Sequence, residues 1–565
     1  MNRFAMGWWL AVVLGVGASA RAAVEEPAAA RQIPAEAVFA VFAAQPDRII
    51  QEADALLARF KFLNPELDLA AQGEKIREQL GENLLTRAGL EAFGVDVDSA
   101  LAVYATGVQS EQQAITVIPL KDAKLFREKL LGLMEKFSGG APLPKARRAG
   151  GAEIMDAGDN LIALGGNYCL VVERGDRAPA AAEAPIRAFF GKGRKLAGEA
   201  YFKEARAALP DGSRLWTVWN MKRLATELDA SLKQMSGNIG RMKGITPAQR
   251  KEMVAEIERM RREQAQVLSA VKFVSSMAFT LAMDAKRVEL TGYFGAAPAG
   301  VPAMKALFPS VPAPAFDAAL QKNTVMGGWF SFDLAGFVRL MGNLPAENGR
   351  TVKQQLDDAN RSLKGALRMD LYQDILDSFQ GPWAFYLLPP GAAAPAKDEE
   401  PGRVAMKMLR LVGAVRVKNG ARFALLLPLL AHGAAGGQPA PTPGTIGKAN
   451  VLTFPVDGTQ LTLGMMDDLL FVALGEGVAE TFVNALPEPH FGAGGAEVAA
   501  MRLDIANLGE SMTGLLNGPL GEQAGEFKAA WPLVQAVLGQ MTAMQTSARM
   551  LANGLQVSTS LDLRP

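Results

Sequence analysis

The sequence predicts an α+β protein of two similar modules in tandem, each a largely antiparallel, curved sheet with helices on one face, with a helical hairpin inserted in the first. Three observations predict it. Segments with apolar residues at helical spacing alternate with short apolar runs and with segments that alternate every second residue, as Arg287-Val288-Glu289-Leu290-Thr291-Gly292-Tyr293-Phe294 does. Hairpin signals outnumber the long crossovers that a parallel sheet requires. A similar order of elements occurs on both sides of an Ala/Pro/Gly-rich stretch near the middle of the chain.

At the N-terminus, residues 1–22 read as an export signal. Asn2-Arg3 give a short positive start, Met6 to Ala18 are apolar, and Ala20-Arg21-Ala22 is a small-x-small cleavage pattern. The run falls short of the roughly 20 residues that span a bilayer. Cleavage is expected after Ala22, releasing a chain into the periplasm or outside the cell. No cysteine stands at the cleavage point for a lipid anchor, and no membrane span is expected after signal cleavage.

The next boundaries follow composition. An N-terminal module is expected over 23–294, an Ala/Pro/Gly-rich linker over 295–320 and a C-terminal module over 321–565. Gly139 to Gly151, Ala178 to Pro185, Pro389 to Gly402 and Gly433 to Gly447 also read as loops or linkers.

Across the central linker the elements correspond in order. Val38 to Ala43 matches Met326 to Phe332, each followed by a helical pattern. Ala100 to Tyr104 matches Pro382 to Tyr386, and Ile115 to Leu120 matches Val412 to Val417. A hairpin turning at Gly165-Gly166-Asn167 matches one turning at Met466-Asp467-Asp468. Leu215 to Asn220 matches Met501 to Asn507. Each half closes on an amphipathic hairpin, Met277 to Phe294 and Ser547 to Leu563. Thr246-Pro247-Ala248-Gln249 is a capping box opening a helix, with Met253, Ile257 and Met260 on one face and Lys251, Glu252, Glu256 and Arg259 on the other.

Chemistry is sparse. The chain has 565 residues, 59 Lys plus Arg against 58 Asp plus Glu, two histidines and one cysteine, so it offers no bulk charge for nucleic acid and no intrachain disulfide. His432 and His490 lie in separate loops without metal-ligand spacing, and read as exposed. Cys169 sits in the strand Tyr168 to Val172, opposite Leu469 in the second copy, and reads as a small buried hydrophobe. Ser269-Ala270-Val271-Lys272 matches S-x-x-K without its downstream partners. No G-x-S-x-G or phosphate-binding glycine loop occurs in the mature chain. Asp96 and Asp98 share a face if that segment is extended. Asp467 and Asp468 occupy a turn. The 24 methionines and Trp216, Trp219, Trp329, Trp383 and Tyr104 read as packing residues. No catalytic, cofactor-binding or metal site is assigned.

Pro34-Ala35-Glu36-Ala37-Val38-Phe39 and the repeated pattern at Leu120-Lys121-Asp122 to Phe126 and Val417-Lys418-Asn419 to Phe423 carry a resemblance. The chain resembles a broad family of uncharacterised bacterial exported proteins with a signal peptide and strand–helix units. The resemblance implies export and architecture and no activity. The expected function is a noncatalytic binding or scaffold role in the cell envelope or extracellular space, toward an unknown protein or envelope partner. The alternative is an envelope hydrolase using carboxylates in a cleft between modules.

Overall fold

The structure, a computed structural model, describes residues 26–564 except 65–66, 108–113, 138–143, 175–178, 242–243, 245, 271–272, 318–319, 321–323, 343–349, 392–400, 419, 426, 429–440, 457, 488–489, 491–496 and 518–524. The export signal and His432 lie outside the described residues, as do most of 139–146, 389–402 and 433–441. The fold is α+β with antiparallel strand pairing, and the chain divides into two units between Gly300 and Val301.

The first unit contains β1 (Phe39–Ala43), β2 (Leu101–Ala105), β3 (Ile115–Pro119), β4 (Arg147–Ala149), β5 (Ala152–Ala157), β6 (Asn160–Gly165), β7 (Tyr168–Glu173), β8 (Leu215–Asn220), β9 (Val274–Met283) and β10 (Arg287–Ala296). They lie side by side in the order β4-β5-β6-β7-β3-β2-β1-β8-β9-β10. Its helices are α1 (Pro46–Leu57), α2 (Leu69–Leu80), α3 (Arg87–Ala92), α4 (Ala123–Phe137), α5 (Pro179–Phe190), α6 (Ala200–Ala208), α7 (Met221–Arg241) and α8 (Pro247–Ala270).

The second unit contains β11 (Met326–Phe330), β12 (Phe379–Leu387), β13 (Leu411–Val417), β14 (Thr442–Ile446), β15 (Ala449–Val456), β16 (Thr459–Met466), β17 (Leu469–Leu474), β18 (Glu497–Asp504), β19 (Met541–Leu551) and β20 (Gly554–Leu563). Their order is β14-β15-β16-β17-β13-β12-β11-β18-β19-β20. Its helices are α9 (Val301–Leu307), α10 (Leu334–Met341), α11 (Val352–Leu367), α12 (Pro401–Met408), α13 (Gly420–Ala424), α14 (Val478–Ala485), α15 (Ile505–Asn517) and α16 (Gly525–Leu538).

Helices cover both faces of the first sheet, not one. Successive strand residues point to opposite faces, and both Phe42 and Ala43 of β1 are buried. Ala43 joins Ile49 of α1, Phe126 of α4, Ile118 and Cys169 in one core. Phe42 stacks on Trp216 at 4.6 Å and meets Phe202 of α6 edge-on, while Tyr104 stacks on Phe189 of α5. The apolar runs FAVFA and LAVYA belong to strands buried on both sides. The clean alternation of β10 describes only the last strand in the unit's order. In the second unit, Phe471 and Leu470, neighbours on β17, likewise enter different cores, the first with Phe316, Tyr386 and Phe482 and the second with Val415, Phe423 and Phe454.

Composition misreads two of the expected linkers. Pro179 to Pro185 form the first half of α5, because the alanines there favour helix and Ala182 is buried against the sheet. Within 295–320, β10 continues to Ala296, α9 follows, and Met304, Leu307 and Phe316 are buried. The helical hairpin is also not confined to the first half. α7 pairs with α8 between β8 and β9, where Arg261 Nε donates to Asp229 Oδ1 at 2.7 Å. α15 pairs with α16 between β18 and β19, where Trp531 Nε1 donates to Thr513 Oγ1 at 3.1 Å. The capping box forms, with Thr246 N donating to Gln249 Oε1 at 3.0 Å and Gln249 N to Thr246 Oγ1 at 3.3 Å.

The motif around Lys121 has a local cause. Asp122 Oδ1 accepts from Lys124 N and Leu125 N at the start of α4, and one turn on Phe126 enters the core. Lys195 ties the N-terminal segment to the body of the unit. Its ammonium donates to the carbonyls of Gln32, Ala188 and Phe189 at 2.7–2.9 Å, and Ile33 is fully buried.

Two fully buried tyrosines give a contrast that can be measured. Tyr104 Oη has no hydrogen-bond partner, whereas Tyr386 Oη donates to Asp317 Oδ1 at 2.7 Å. Tyr104→Phe removes an unsatisfied hydroxyl and is expected to leave stability unchanged or raise it by up to about 1 kcal/mol, whereas Tyr386→Phe breaks a bond to a carboxylate and is expected to cost about 2 kcal/mol. Urea denaturation of the two variants measures both.

Candidate functional site

Chemistry at a carboxylate or thiol requires a group that is reachable and free to exchange a proton. Of the residues singled out in sequence, Cys169 fails that requirement, Asp96, Asp98 and Asp468 are bonded to neighbours, and Asp467 is exposed. Cys169 is buried, and burial pushes its thiol up to about 12. Asp96 and Asp98 do not act as a pair on one face. Asp96 accepts from the Asp98 backbone N–H and from Ser99 Oγ, closing a turn, while Asp98 receives both 2.8 and 2.9 Å bonds from Arg87.

Asp468 is held by Arg416 Nε at 2.7 Å, and Asp467 sits at φ 51 in the hairpin turn. His490 is buried rather than exposed. Its Nδ1 lies 3.1 Å from the Pro487 carbonyl, its Nε2 3.8 Å from Asp467, and its own carbonyl accepts from Ala315 N. It fastens a loop to the segment before Phe316. Trp216, Tyr104 and Trp329 are buried in strands and Trp219 and Trp383 half-buried, as packing residues. The side chains of Ser269 and Lys272 lie outside the described residues.

Two ion networks in the first unit reach buried or half-buried carboxylates of α1. Arg87, on α3, reaches Asp98, Glu91 at 3.2 Å and the buried Asp47 at 3.9 Å. Arg214, ahead of β8, donates to Glu52 of α1 and, at 3.1 Å, to Gln45, whose φ of 53 is a left-handed conformation. Burial, the dominant influence, raises the Glu52 carboxyl above its ordinary value against the opposing pull of Arg214. Each network ties a helix to its surroundings, and its acids are engaged by guanidinium groups. Among the described residues, no group of three His, Cys, Asp or Glu side chains is arranged to hold a metal ion.

The surface features of the second unit differ in kind. A groove of about 520 Å³ lies between Lys305 and Phe308–Ser310 on one side and Met550–Ala552, at the β19–β20 turn, on the other. Phe308 packs against Phe332 at 6.0 Å, and Phe332 against Phe337 at 5.0 Å. Asp333 N donates to the Leu307 carbonyl at 2.9 Å, and Ser331 Oγ to that of Pro309. These bonds fix one wall of the groove to the end of β11. On α16, Phe527, Ala529, Ala530, Pro532, Leu533 and Ala536 are exposed.

These residues went unread in sequence because 295–320 looked like linker. The available signal was the spacing of Met304, Leu307 and Phe308, which places three apolar residues on one side of a helical turn.

No protein-family model, curated protein or solved structure matches this chain. The site therefore stands on its own residues.

The raised thiol pKa gives a chemical expectation. At about pH 8 a thiol of pKa near 12 is protonated and, being buried, unreactive. Native protein is expected to show no rapid reaction with a disulfide thiol reagent and one equivalent after unfolding. Full labelling of native protein within minutes would contradict the burial of Cys169.

Proposed function

We propose that the chain is an exported, noncatalytic binding or scaffold protein of the cell envelope or extracellular space, built from one α+β module used twice. Support for the duplication lies in the strand order. Counted from β1 to β10 in the first unit and β11 to β20 in the second, the two orders coincide. A helical hairpin follows the eighth strand in both. Under this correspondence the turns Gly166-Asn167 and Asp467-Asp468 align, and Cys169 falls on Leu470 rather than Leu469. A one-residue slip of that kind would move every side chain to the other face. Cys169 and Leu470 occupy corresponding cores, beside Phe126 and Phe423.

The binding role rests on one contrast between the paired hairpins. In the first, Lys251, Glu252, Glu256 and Arg259 of α8 are exposed, among Pro247, Ala248, Met253, Ala255 and Met260. In the second, α16 exposes larger apolar side chains, Phe527 at 46% and Leu533 at 56%, with the charge reduced to Glu526 and Lys528. One structural position thus carries four exposed charges in one copy, and two exposed charges with a phenylalanine and a leucine in the other. Exposed apolar surface of this kind marks a contact for another molecule. The leader-like residues 1–22 support export, and the engagement of Asp96, Asp98 and Asp468 by neighbouring groups supports a role without catalysis.

A photo-crosslinking side chain placed at Leu533, with Arg259 as control, tests this reading in the native host. The expected outcome is a shortened chain beginning near Ala23, found in the envelope or medium, with a discrete adduct from Leu533 and none from Arg259. A full-length cytoplasmic chain, or equal adducts from both positions, would contradict it.

A further inference from the structure

β17, β13 and β12, neighbours in the middle of the second unit's strand order, are closed over on one face and open on the other. On the closed face Tyr386, Val412 and Ala473 share a core with Phe482 of α14. On the open face Val472 lies opposite Gly413, and Gly413 opposite Phe385. Two residues along, the same face carries Leu474, Leu411 and Leu387. Val472 and Leu411 are each 37% exposed, and a Cβ on Gly413 would meet no atom within 4 Å. Among the described residues, neither Phe385 nor Val472 joins a core of the unit.

We propose that this open face receives one amphipathic helix of a partner protein, lying over Gly413 between Val472 and Phe385. The proposal rests on the duplicated-module reading.

The corresponding face of the first unit identifies the occupant. There Val171 lies opposite Thr116, and Thr116 opposite Val103. Val103 and Val171 pack against the core that α4 enters with Phe126, and Leu130, Leu131 and Leu133 of α4 pack there too. α4 runs for 15 residues after β3, whereas α13, the helix after β13, runs for 5. Phe423 of α13 and Leu427 join the core around Val415, two residues along β13 from Gly413.

Width and charge fit the same occupant. Two gaps of about 4.8 Å between strands make a floor about 10 Å wide, the diameter of one helix. None of its six residues is ionised, so the floor complements uncharged side chains, such as the single leucine stripe of an amphipathic helix. Gly413 leaves room at its centre for one of those leucines.

A synthetic peptide of residues 121–137, which contains α4, is the probe, labelled with a fluorophore and titrated with the full mature chain. A saturable rise in anisotropy is expected, and none for the same peptide carrying Leu130→Ser, Leu131→Ser and Leu133→Ser. Val472→Asp in the chain is expected to weaken binding at least about tenfold while leaving the thermal transition in place, which also excludes exchange of the peptide with α4 itself. If Val472→Asp fails to fold, Gly413→Arg serves instead, since the space above Gly413 admits a side chain, and the same loss is expected. No saturable change, equal binding of the two peptides, or binding unaffected by the chain variant would overturn the proposal. Self-association of the chain that Val472→Asp abolishes would also overturn it, assigning the face to a second copy. Such failure would leave the strand-order correspondence standing, since that rests on the pairing of the strands. The binding reading of α16 would be untouched as well, since the crosslink at Leu533 probes different residues.

Discussion

The rest of each unit depends on strands that are paired on both sides and covered on both faces. β1 runs between β2 and β8, and β11 between β12 and β18, so their backbone groups are satisfied within the sheet. Once satisfied, those strands can be buried without leaving polar groups unpaired. The side chains then do the stabilising. Fully burying a residue such as Phe42 contributes about 1.5–3 kcal/mol, and Phe42, Trp216 and Phe202 pack as one aromatic group. The close approach has its own requirement at β11, where a Cβ on Gly327 would collide with the Tyr386 ring.

A sheet protected in this way leaves its helical hairpins free to differ. α7–α8 follows β8 and α15–α16 follows β18, and each packs on its own unit's strands, so their outer faces carry little of the folding free energy. On the duplicated-module reading, that freedom is how one scaffold acquires two surfaces, one richer in charge and one with larger apolar side chains. The same logic applies to the groove. Its walls are the end of α9 and the tip of the last hairpin, positions held by the sheet without contributing to its centre.

The sequence was legible where structure is local. Hairpins such as β9–β10 follow from alternation and a turn, with Asp284 Oδ1 accepting from Lys286 N and Arg287 N. The capping box at Thr246 needs only four residues to form. Misreadings occur where composition stands in for partners. The alanines of α5 look like linker until Phe189 is seen stacked on Tyr104. Coverage of the second sheet face by α5 and α6 depends on contacts distant in sequence, and no period in β1 or β2 announces it. His490 looked exposed because its loop is rich in proline, yet its burial comes from the segment before Phe316 and from the Asp467 turn. The groove was illegible for the same reason, since Lys305 and Met550 are brought together only by the fold.

Hydrogen-exchange mass spectrometry on the intact chain tests the dependence on the central strands most directly. The slowest exchange is expected in β1, β2 and β8 and in β11, β12 and β18. Fast exchange is expected in the short outer strands β4 and β14, and intermediate protection in α7–α8 and α15–α16. Strongest protection in the helical hairpins, with β1 and β11 exchanging as fast as β4 and β14, would contradict it.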